Sequence, residues 1–508
     1  MKLNSKQNFF TKLIIFVAFL TCCCVAFPHS TFAQDPTGAH TGTINDVTAA
    51  TAGSPTLSEV GEQAGHNKIA INVMWTLIAG FLVMFMQAGF AMVETGFTQK
   101  KNVAHTMTMN FLIYAIGMLG FWICGFAIMF GGGLNVANLG GSAGVIPSEY
   151  VIHILGHDFG IWGKVGFFLS SKYYDVGIYT LFLFQMVFMD TTATIPTGSM
   201  AERWTLKSFV IYGFFISMIV YPLYGNWVWG GGWLAQLGAN FGFGHGHVDF
   251  AGSSVVHMVG GVAALAGAIV IGPRYGKYGK NGEVKTIPGH NIPMAMVGTF
   301  ILAFGWFGFN AGSTLAGSDL RIGVIATNTM LAGGAGAITA LFYMYLRGEK
   351  ADPGMIANGM LAGLVGITAP CAFVTSISAV IIGAIAGLLV IFAFNLLDRT
   401  LKIDDPVGAF AVHGVNGAWG VIAVGLFADG TYGDGWNGVK GNVTGLFYGD
   451  SSQLIAQLIG TVTCAVFVFV VMYFFFKILN KIVPLRSKEA DEIAGLDIPE
   501  TGVLGYVD

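Results

Sequence analysis

Two histidines occupy matching positions in separate apolar stretches of the chain. His257 lies in VDFAGSSVVHMVGG and His413 in DDPVGAFAVHGVNG, and both stretches read D-x6-VH-x-V-x-G. An imidazole accepts a proton at one ring nitrogen and donates at the other. Because an ionisable group is costly inside an apolar span, it normally faces a partner, a cavity or a pathway. The pattern therefore predicts that each of the two histidines faces a partner, a cavity or a pathway.

Spacing alone leaves other readings of these residues open. Either histidine by itself is explained as readily by a neutral ring bonded to a helix backbone, and a bis-histidine haem site is disfavoured because the surrounding residues are small. Asp249 and Asp405 each precede a predicted helix, and Asp405 with Pro406 forms a strong capping and first-turn pair. Capping accounts well for Asp405, whereas we expect Asp249 near the outer mouth of such a pathway.

Helices in a membrane must position these residues. Of the 508 residues, 54% are hydrophobic and only 10% are charged, and the mean hydropathy is +0.68. Soluble domains carry roughly a quarter charged residues. The net charge of −3 gives no reason to expect nucleic acid as a partner. The six cysteines have no metal-ligand spacing, so we predict no disulfide, metal site or cofactor.

The apolar stretches predict eleven membrane spans, each of which needs about 20 mostly apolar residues. The boundary between the eighth and ninth spans rests on Pro370 alone. The spans are 69–92, 107–130, 176–198, 208–228, 250–272, 293–312, 322–346, 355–373, 374–397, 407–427 and 453–479.

The segments outside the spans indicate how the chain is oriented. Lysines precede an apolar run near the start of the chain, which predicts a signal peptide over residues 1–33, followed by a polar, flexible, extracellular lead over 34–68. If alternate loops are cytoplasmic, sixteen of the twenty-one basic residues beyond residue 33 lie inside the cell. The predicted arrangement is therefore a transmembrane domain over 69–482 and a cytoplasmic tail over 483–508, in the cell membrane.

The two histidine motifs form a short internal repeat. They open the fifth and tenth predicted spans. The offset of five spans is an odd number, so the copies run in opposite directions through the membrane. Inverted repeats of this kind place the functional site near the bilayer midplane, between the two halves.

Longer stretches of the chain resemble the ammonium transporter family (Amt, Mep and Rh), and more closely its Amt branch of bacterial type. The resemblance rests on VDFAGSSVVHMVGGVAALAGAIVIGPRYGK, WGGGW, HNIPMAMVGTFILAFGWFGFNAGS, DDPVGAFAVHGVNGAWG, MAERW and GLDI, which extend from about residue 70 to 500. It implies an all-α membrane protein with eleven helices in two inverted five-helix repeats plus a final helix. It further implies a homotrimer with one narrow pore in each subunit.

The resemblance also assigns roles by position. Trp229 and Ser313 match an outer recruitment site for the cation, and Asp249 matches the aspartate that supports this site. Phe188 and Phe309 match two stacked rings that close the vestibule. His257 and His413 match the paired histidines of the lumen. Taken alone, the phenylalanines would be read as packing residues and Trp229 as part of an interfacial aromatic belt.

These roles imply transport of ammonium, recruited as the cation and conducted as ammonia with a relayed proton. An ammonium sensor and a neutral ammonia gas channel of the same fold are the alternative functions. No nucleophile with a base and an orienting group appears, so we predict no enzyme activity. Methylammonium is a further candidate substrate, membrane lipids surround the protein, and the resemblance implies a PII-type signalling protein as partner of the tail.

Expectations also follow for two loop histidines, for one long loop and for one glycine. We expect His245 and His247 to be solvated in an outer loop rather than to bind a metal, because no third ligand is near in sequence. The aromatic and glycine content of the loop 131–175 predicts an ordered outer cap with no assigned function. Gly408 stands where some members of the family carry an acidic residue, so no role of that carboxylate carries over.

Overall fold

The computed structural model describes residues 43–131, 137–139, 149–170 and 176–507. The predicted signal peptide and residues 34–42 of the predicted lead lie outside this part. The chain divides into two compact units, Met1–Lys68 and Ile69–Asp508. In the first unit, Ile44–Asp46 forms a short helical turn that Thr43 caps. Helix begins again at Leu57, so the end of the lead, which we predicted to be flexible, is helical.

Ten helices in the described part of the chain are long and apolar enough to cross a membrane. The predicted eighth span forms a helix of 16 residues, which is shorter than these ten, and the turn after it runs on both sides of Pro370. In chain order the helices are α1 Leu57–Phe97, α2 Lys100–Phe130, α3 Val176–Met200, α4 Leu206–Trp229, α5 Ser253–Ile271, α6 Ile292–Thr314, α7 Ile322–Leu346, α8 Pro353–Thr368, α9 Ser376–Leu401, α10 Phe410–Phe427 and α11 Ser451–Ile482.

Glycines let the helix backbones touch. A methyl group built on Gly336 of α7 would lie 2.2 Å from the carbonyl oxygen of Gly359 in α8. One built on Gly387 of α9 would lie 2.4 Å from the carbonyl oxygen of Gly336. Helices that share an apolar solvent gain their association energy from such close packing. Close helix contacts thus explain part of the high glycine content.

A β-hairpin forms part of the long loop 131–175. Strands β1 Glu149–Ile154 and β2 His157–Gly163 pair in antiparallel fashion. The Glu149 carboxylate accepts a hydrogen bond of 2.7 Å from Asn226 of α4, and the Trp227 indole donates to the carbonyl of Ile161 at 3.0 Å. These bonds fix the hairpin on the end of α4, as expected for an ordered cap.

A buried charged cluster joins the loops that follow α3, α5 and α9. Arg274 forms ion pairs of 2.8 Å with both Glu202 and Asp404, and Arg203 donates to the Asp404 carbonyl at 2.8 Å. Burial alone would raise the pKa of the Asp404 carboxyl, but Arg274 and Arg203 hold it well below its usual range. The ionised Asp404 carboxylate therefore stabilises the folded protein through its interactions with these two arginines.

The C-terminal tail packs against the same end of the helices. Its short helix, α12 Glu489–Ala494, includes Glu492, which pairs with Arg486 at 2.8 Å and accepts from the Tyr275 amide. Asp497 accepts from the His105 amide at 2.9 Å, and Asn102 accepts from the Leu496 amide at 2.9 Å. The tail is therefore bonded to the start of α2 and to the loop after α5.

Candidate functional site

A cavity of about 190 Å³ lies where α4 ends and α5 begins, and we call it the tryptophan cavity. Trp229 is the last residue of α4, Asp249 precedes α5, and Ser313 lies near the end of α6. All three line the cavity, so the structure brings these predicted residues together. Further lining residues include Phe184, Gln185, Phe250, Trp436 and Asn437.

Asp249 supports both the cavity wall and the start of α5. Its carboxylate accepts four backbone N–H bonds of 2.7–3.0 Å, from Gly252 to Val255, and a fifth bond from the Ser254 hydroxyl. Its carbonyl oxygen accepts from the Trp229 indole at 2.7 Å. A carboxylate at a helix N-terminus satisfies donors that have no partner within the helix. The predicted capping role of Asp249 is therefore present in this structure, and its support of a recruitment site stays a prediction.

The Ser313 hydroxyl keeps its acceptor capacity towards the cavity. It donates its hydrogen to the carbonyl of Phe309, one turn earlier in α6, at 2.8 Å. A hydroxyl has one donor and two acceptor lone pairs. Because the donor is used within the helix, the oxygen that lines the cavity is available to accept from a cationic N–H group.

A row of rings, which we call the ring row, leads from the tryptophan cavity into the protein. Phe188 contacts Trp229 edge-on at 6.1 Å between centroids and stacks on Phe309 at 4.1 Å. Phe309 in turn stacks on His257 at 5.3 Å, and His257 on His413 at 5.2 Å. Phe188 and Phe309 are fully buried, so this stacked pair separates the cavity from the histidines.

The two histidines face each other directly. Their Nδ1 atoms are 3.2 Å apart, within hydrogen-bonding distance. The His257 ring also stacks on Trp306 at 5.3 Å, and its Nε2 atom is buried without a hydrogen-bond partner among the described residues. Since one Nδ1 must donate and the other accept, the pair is held with different tautomers. The predicted facing arrangement is therefore present in the structure.

The repeat-related residues pack reciprocally around this pair. Both histidines lie in π-helical turns, Ser253–Met258 and Phe410–Val415, which are frequent at functional sites. A methyl group on Gly261 would lie 2.1 Å from the Gly414 nitrogen, and one on Gly417 would lie 2.9 Å from the Met258 nitrogen. In the aligned motifs, position 261 corresponds to 417 and position 258 to 414, so the two contacts are equivalent.

A second cavity, of about 20 Å³, lies beyond His413 and is called the glutamate cavity. Glu94 of α1 lines it together with His413, Phe90 and Asn358. Glu94 is 2% exposed and accepts hydrogen bonds from Thr197 at 2.6 Å and from Asn110 at 2.7 Å. The tryptophan cavity, the ring row and the glutamate cavity thus follow one another through the helices.

The sequence analysis missed Glu94 and Trp436, which line the cavities, and Trp306, which stacks on His257. It also missed the buried Asp190, which lines neither cavity in the described part of the chain. Glu94 escaped because the first span was ended at residue 92, although a carboxylate in an apolar helix is a signal in its own right. Asp190 lies within α3, is 2% exposed, and its Oδ1 has no partner among the described residues. Trp306 and Trp436 carried no motif that distinguished them from packing residues.

Two expectations about loop residues were wrong. His245 and His247 were expected to be solvated, but they are 5% and 0% exposed. The ring of His247 is buried because it packs against the backbone of Gly460 in α11. Burial lowers the pKa of His247, which bonds to the Ser254 hydroxyl at 3.0 Å. The described residues contain no group of three or more side chains that could hold a metal.

The capping geometry of Asp405 also differs from the prediction. Pro406 lies in a turn rather than in the first turn of α10, because Gly408 adopts a left-handed conformation with φ +77°. Asp405 instead reaches forward to accept from the Phe410 amide at 2.8 Å, and its other oxygen has no partner among the described residues. Burial raises the pKa of this carboxyl.

Comparison with known proteins extends these observations. A sequence profile of the Ammonium Transporter Family matches residues 74–506. Ammonium transporter Amt2 of Archaeoglobus fulgidus is 44% identical over 456 residues, which are 89% of this chain and 91% of that protein. A solved structure titled Sensor Amt Protein has a TM-score of 0.75 and 36% identity, over 86% of this chain and 100% of that chain. Mep2 of Candida albicans has a TM-score of 0.69 and 27% identity, over 83% and 87%.

Proposed function

The chain belongs to the ammonium transporter family, and we propose that it recruits ammonium in the tryptophan cavity and conducts it across a cell membrane as ammonia with a relayed proton. The observation that carries this proposal is the continuity of the ring row. Each ring from Trp229 to His413 contacts the next, and the row ends at two imidazoles whose Nδ1 atoms are 3.2 Å apart.

Recruitment of the cation is supported by the groups that line the tryptophan cavity. An indole face attracts a cation by roughly 0.5–2 kcal/mol, more where water is excluded. Trp229 is held through its indole N–H by the Asp249 carbonyl, which leaves the ring face free for a ligand. The Ser313 oxygen adds a directional acceptor. Potassium has a similar size but donates no hydrogen bond, so this acceptor favours ammonium.

Deprotonation is proposed at the far side of the stacked phenylalanines. Ammonium that passes Phe188 and Phe309 loses its hydration, which favours the neutral form together with a separate acceptor for the proton. The unpartnered His257 Nε2 is that acceptor. A proton taken up there displaces the Nδ1 proton onto His413, whose own Nε2 proton is then released. One proton enters the pair and one leaves, and the tautomers exchange.

The architecture is proposed as eleven spans, with α8 as the short eighth, in two inverted five-helix repeats plus α11. The reciprocal packing of Gly261 and Gly417 supports this repeat. We further propose a homotrimer with an extracytoplasmic N-terminus, a signal peptide over 1–33 and a cytoplasmic tail from residue 483. A PII-type partner is proposed for the tail, whose charged residues lie against the start of α2 and the loops after α3 and α5.

The test is the current that purified protein carries in a solid-supported membrane after an ammonium pulse. We expect a saturable ammonium current, no potassium current, and none in protein-free membranes. His257→Ala should abolish the ammonium current, because the acceptor nitrogen is removed. His153→Ala, an exposed histidine of the hairpin, is the matched control and should leave it unchanged.

Other outcomes identify the alternative functions. Ammonia-driven pH changes in vesicles without any current would indicate a neutral gas channel. Ammonium binding with neither current nor flux would indicate a sensor. Binding is worth measuring because a solved structure titled Sensor Amt Protein is 36% identical to this chain.

A further inference from the structure

We propose that Glu94 is the proton acceptor at the far end of the histidine pair, and that the glutamate cavity binds ammonium as it re-forms there. The inference rests on the proposed function, because it assigns the step that follows proton release from His413. Within the described lining of this cavity, Glu94 and His413 are the titratable residues.

The size of the glutamate cavity matches this role. Its volume of about 20 Å³ is enough for roughly one water molecule, since a water needs at least about 10–15 Å³. Ammonia and ammonium are of similar size. Most of the remaining lining is apolar, including Phe90, Ile195 and Leu302. A small molecule in this space therefore finds its hydrogen-bond partners at the carboxylate and the imidazole.

The Glu94 carboxylate is held in place by donors and retains free acceptor positions. Thr197 donates to it at 2.6 Å and Asn110 at 2.7 Å. The side chain of Asn110 is oriented in turn by Gln87 and Thr194, which donate to its Oδ1 atom at 3.3 Å and 3.2 Å. A carboxylate offers about four lone-pair sites. The donors Thr197 and Asn110 and the Gly198 backbone N–H therefore leave about one of these sites for a proton or an ammonium N–H.

With Glu94 as acceptor, the proton that leaves His413 can be followed until it is bound to ammonia. His413 gives its Nε2 proton to the Glu94 carboxylate, directly or through the molecule in the cavity, and the carboxylate becomes a neutral acid. Ammonia that arrives along the pore takes this proton, so that a new N–H bond forms and the carboxylate is restored. Ammonium leaves the cavity, and no other reactant is needed.

The experiment compares Glu94→Gln with Asp190→Asn by ammonium current in solid-supported membranes. Both substitutions neutralise a buried carboxyl in a membrane helix, but Asp190 does not line the described part of either cavity. Positioned proton acceptors contribute roughly 10²–10⁴-fold to rates, so Glu94→Gln should lower the maximal current at least about tenfold. The half-saturating ammonium concentration should stay within about twofold, because the tryptophan cavity is untouched. Asp190→Asn should match the wild type.

The outcomes separate this inference from the proposed function. A wild type without ammonium current defeats both. A wild type with current, together with a Glu94→Gln current within about twofold of it, overturns only the role of Glu94. If Glu94→Gln does not fold, infrared difference spectra of the wild type and Glu94→Asp decide the question. A carbonyl band that appears with ammonium and shifts in Glu94→Asp supports the inference, and a band that is absent or unshifted overturns it.

Discussion

At the scale of single residues, Trp229 combines a proposed role in binding ammonium with a hydrogen bond that holds its ring in place. Its indole N–H is bonded to the Asp249 carbonyl, and the same aspartate caps α5 with its carboxylate. The ring is therefore fixed relative to the helix that carries His257. This arrangement lets a weak cation–π attraction act at a defined place rather than through a mobile side chain.

Trp229→Ala should raise the half-saturating ammonium concentration by roughly 2–30-fold, the range that follows from a lost attraction of about 0.5–2 kcal/mol. The concentration dependence of the ammonium current measures it. Trp122→Ala is the control, since Trp122 of α2 is 40% exposed and contacts Phe168 rather than the cavity. Equal half-saturation in the two variants would exclude Trp229 from the binding site.

At the scale of helices, contact between backbones brings the two histidines together. A methyl group on Gly261 would lie 2.1 Å from the Gly414 nitrogen, so α5 and α10 cannot approach as closely with any larger residue. Gly261→Ala should therefore destabilise the fold by about 1–3 kcal/mol or more and reduce the ammonium current. Thermal unfolding in detergent measures the first effect.

The matched control is Gly334→Ala in α7, where a new methyl group meets nothing within 4 Å. This substitution should be neutral or slightly stabilising, because alanine favours helix over glycine. If Gly261→Ala were as stable and as active as Gly334→Ala, the close helix crossing would not be needed for the histidine pair.

The comparison of sequence and structure is most informative at this scale. The repeat that contains His257 and His413 predicted a functional site near the midplane, because a shared motif on oppositely directed spans indicates an inverted repeat. The pairing of the two rings was implied by the family resemblance. The π-helical turns that carry them depend on tertiary packing, which local sequence does not encode. Glu94 was missed because hydropathy ends a span at its first carboxylate. His247 was misplaced because its burial depends on Gly460, far away in the chain.

At the scale of the whole molecule, Arg274 joins three loops in one buried network. Its two ion pairs, with Glu202 and Asp404, are almost fully shielded from solvent. Removing one partner of a buried pair leaves an uncompensated charge and costs about 3–5 kcal/mol. Asp404→Asn should therefore lower the free energy of unfolding at neutral pH by an amount of this order.

The pH dependence has a definite sign. The folded pKa of Asp404 is depressed, so its contribution is fully present above the unfolded value of about 3.9 and is lost as the pH falls towards the folded value. The contribution of Asp404 to wild-type stability should stay constant between about pH 5 and 7 and should decline below about pH 4. Thermal unfolding across this range measures the decline, and Asp404→Asn should show less of it. Glu349→Gln, in an exposed pair of 3.6 Å, is the control and should change little.

The proposed electrogenic transport of ammonium, as opposed to a neutral flow of ammonia, is tested most directly by the ratio of charge to nitrogen. Proteoliposomes are given isotopically labelled ammonium, and the charge and the label that enter are counted in the same preparation. Because each relayed proton accompanies one ammonia, the account predicts one elementary charge for each nitrogen. His257→Ala should lower both together. Labelled nitrogen that enters the wild-type vesicles without charge would contradict the account.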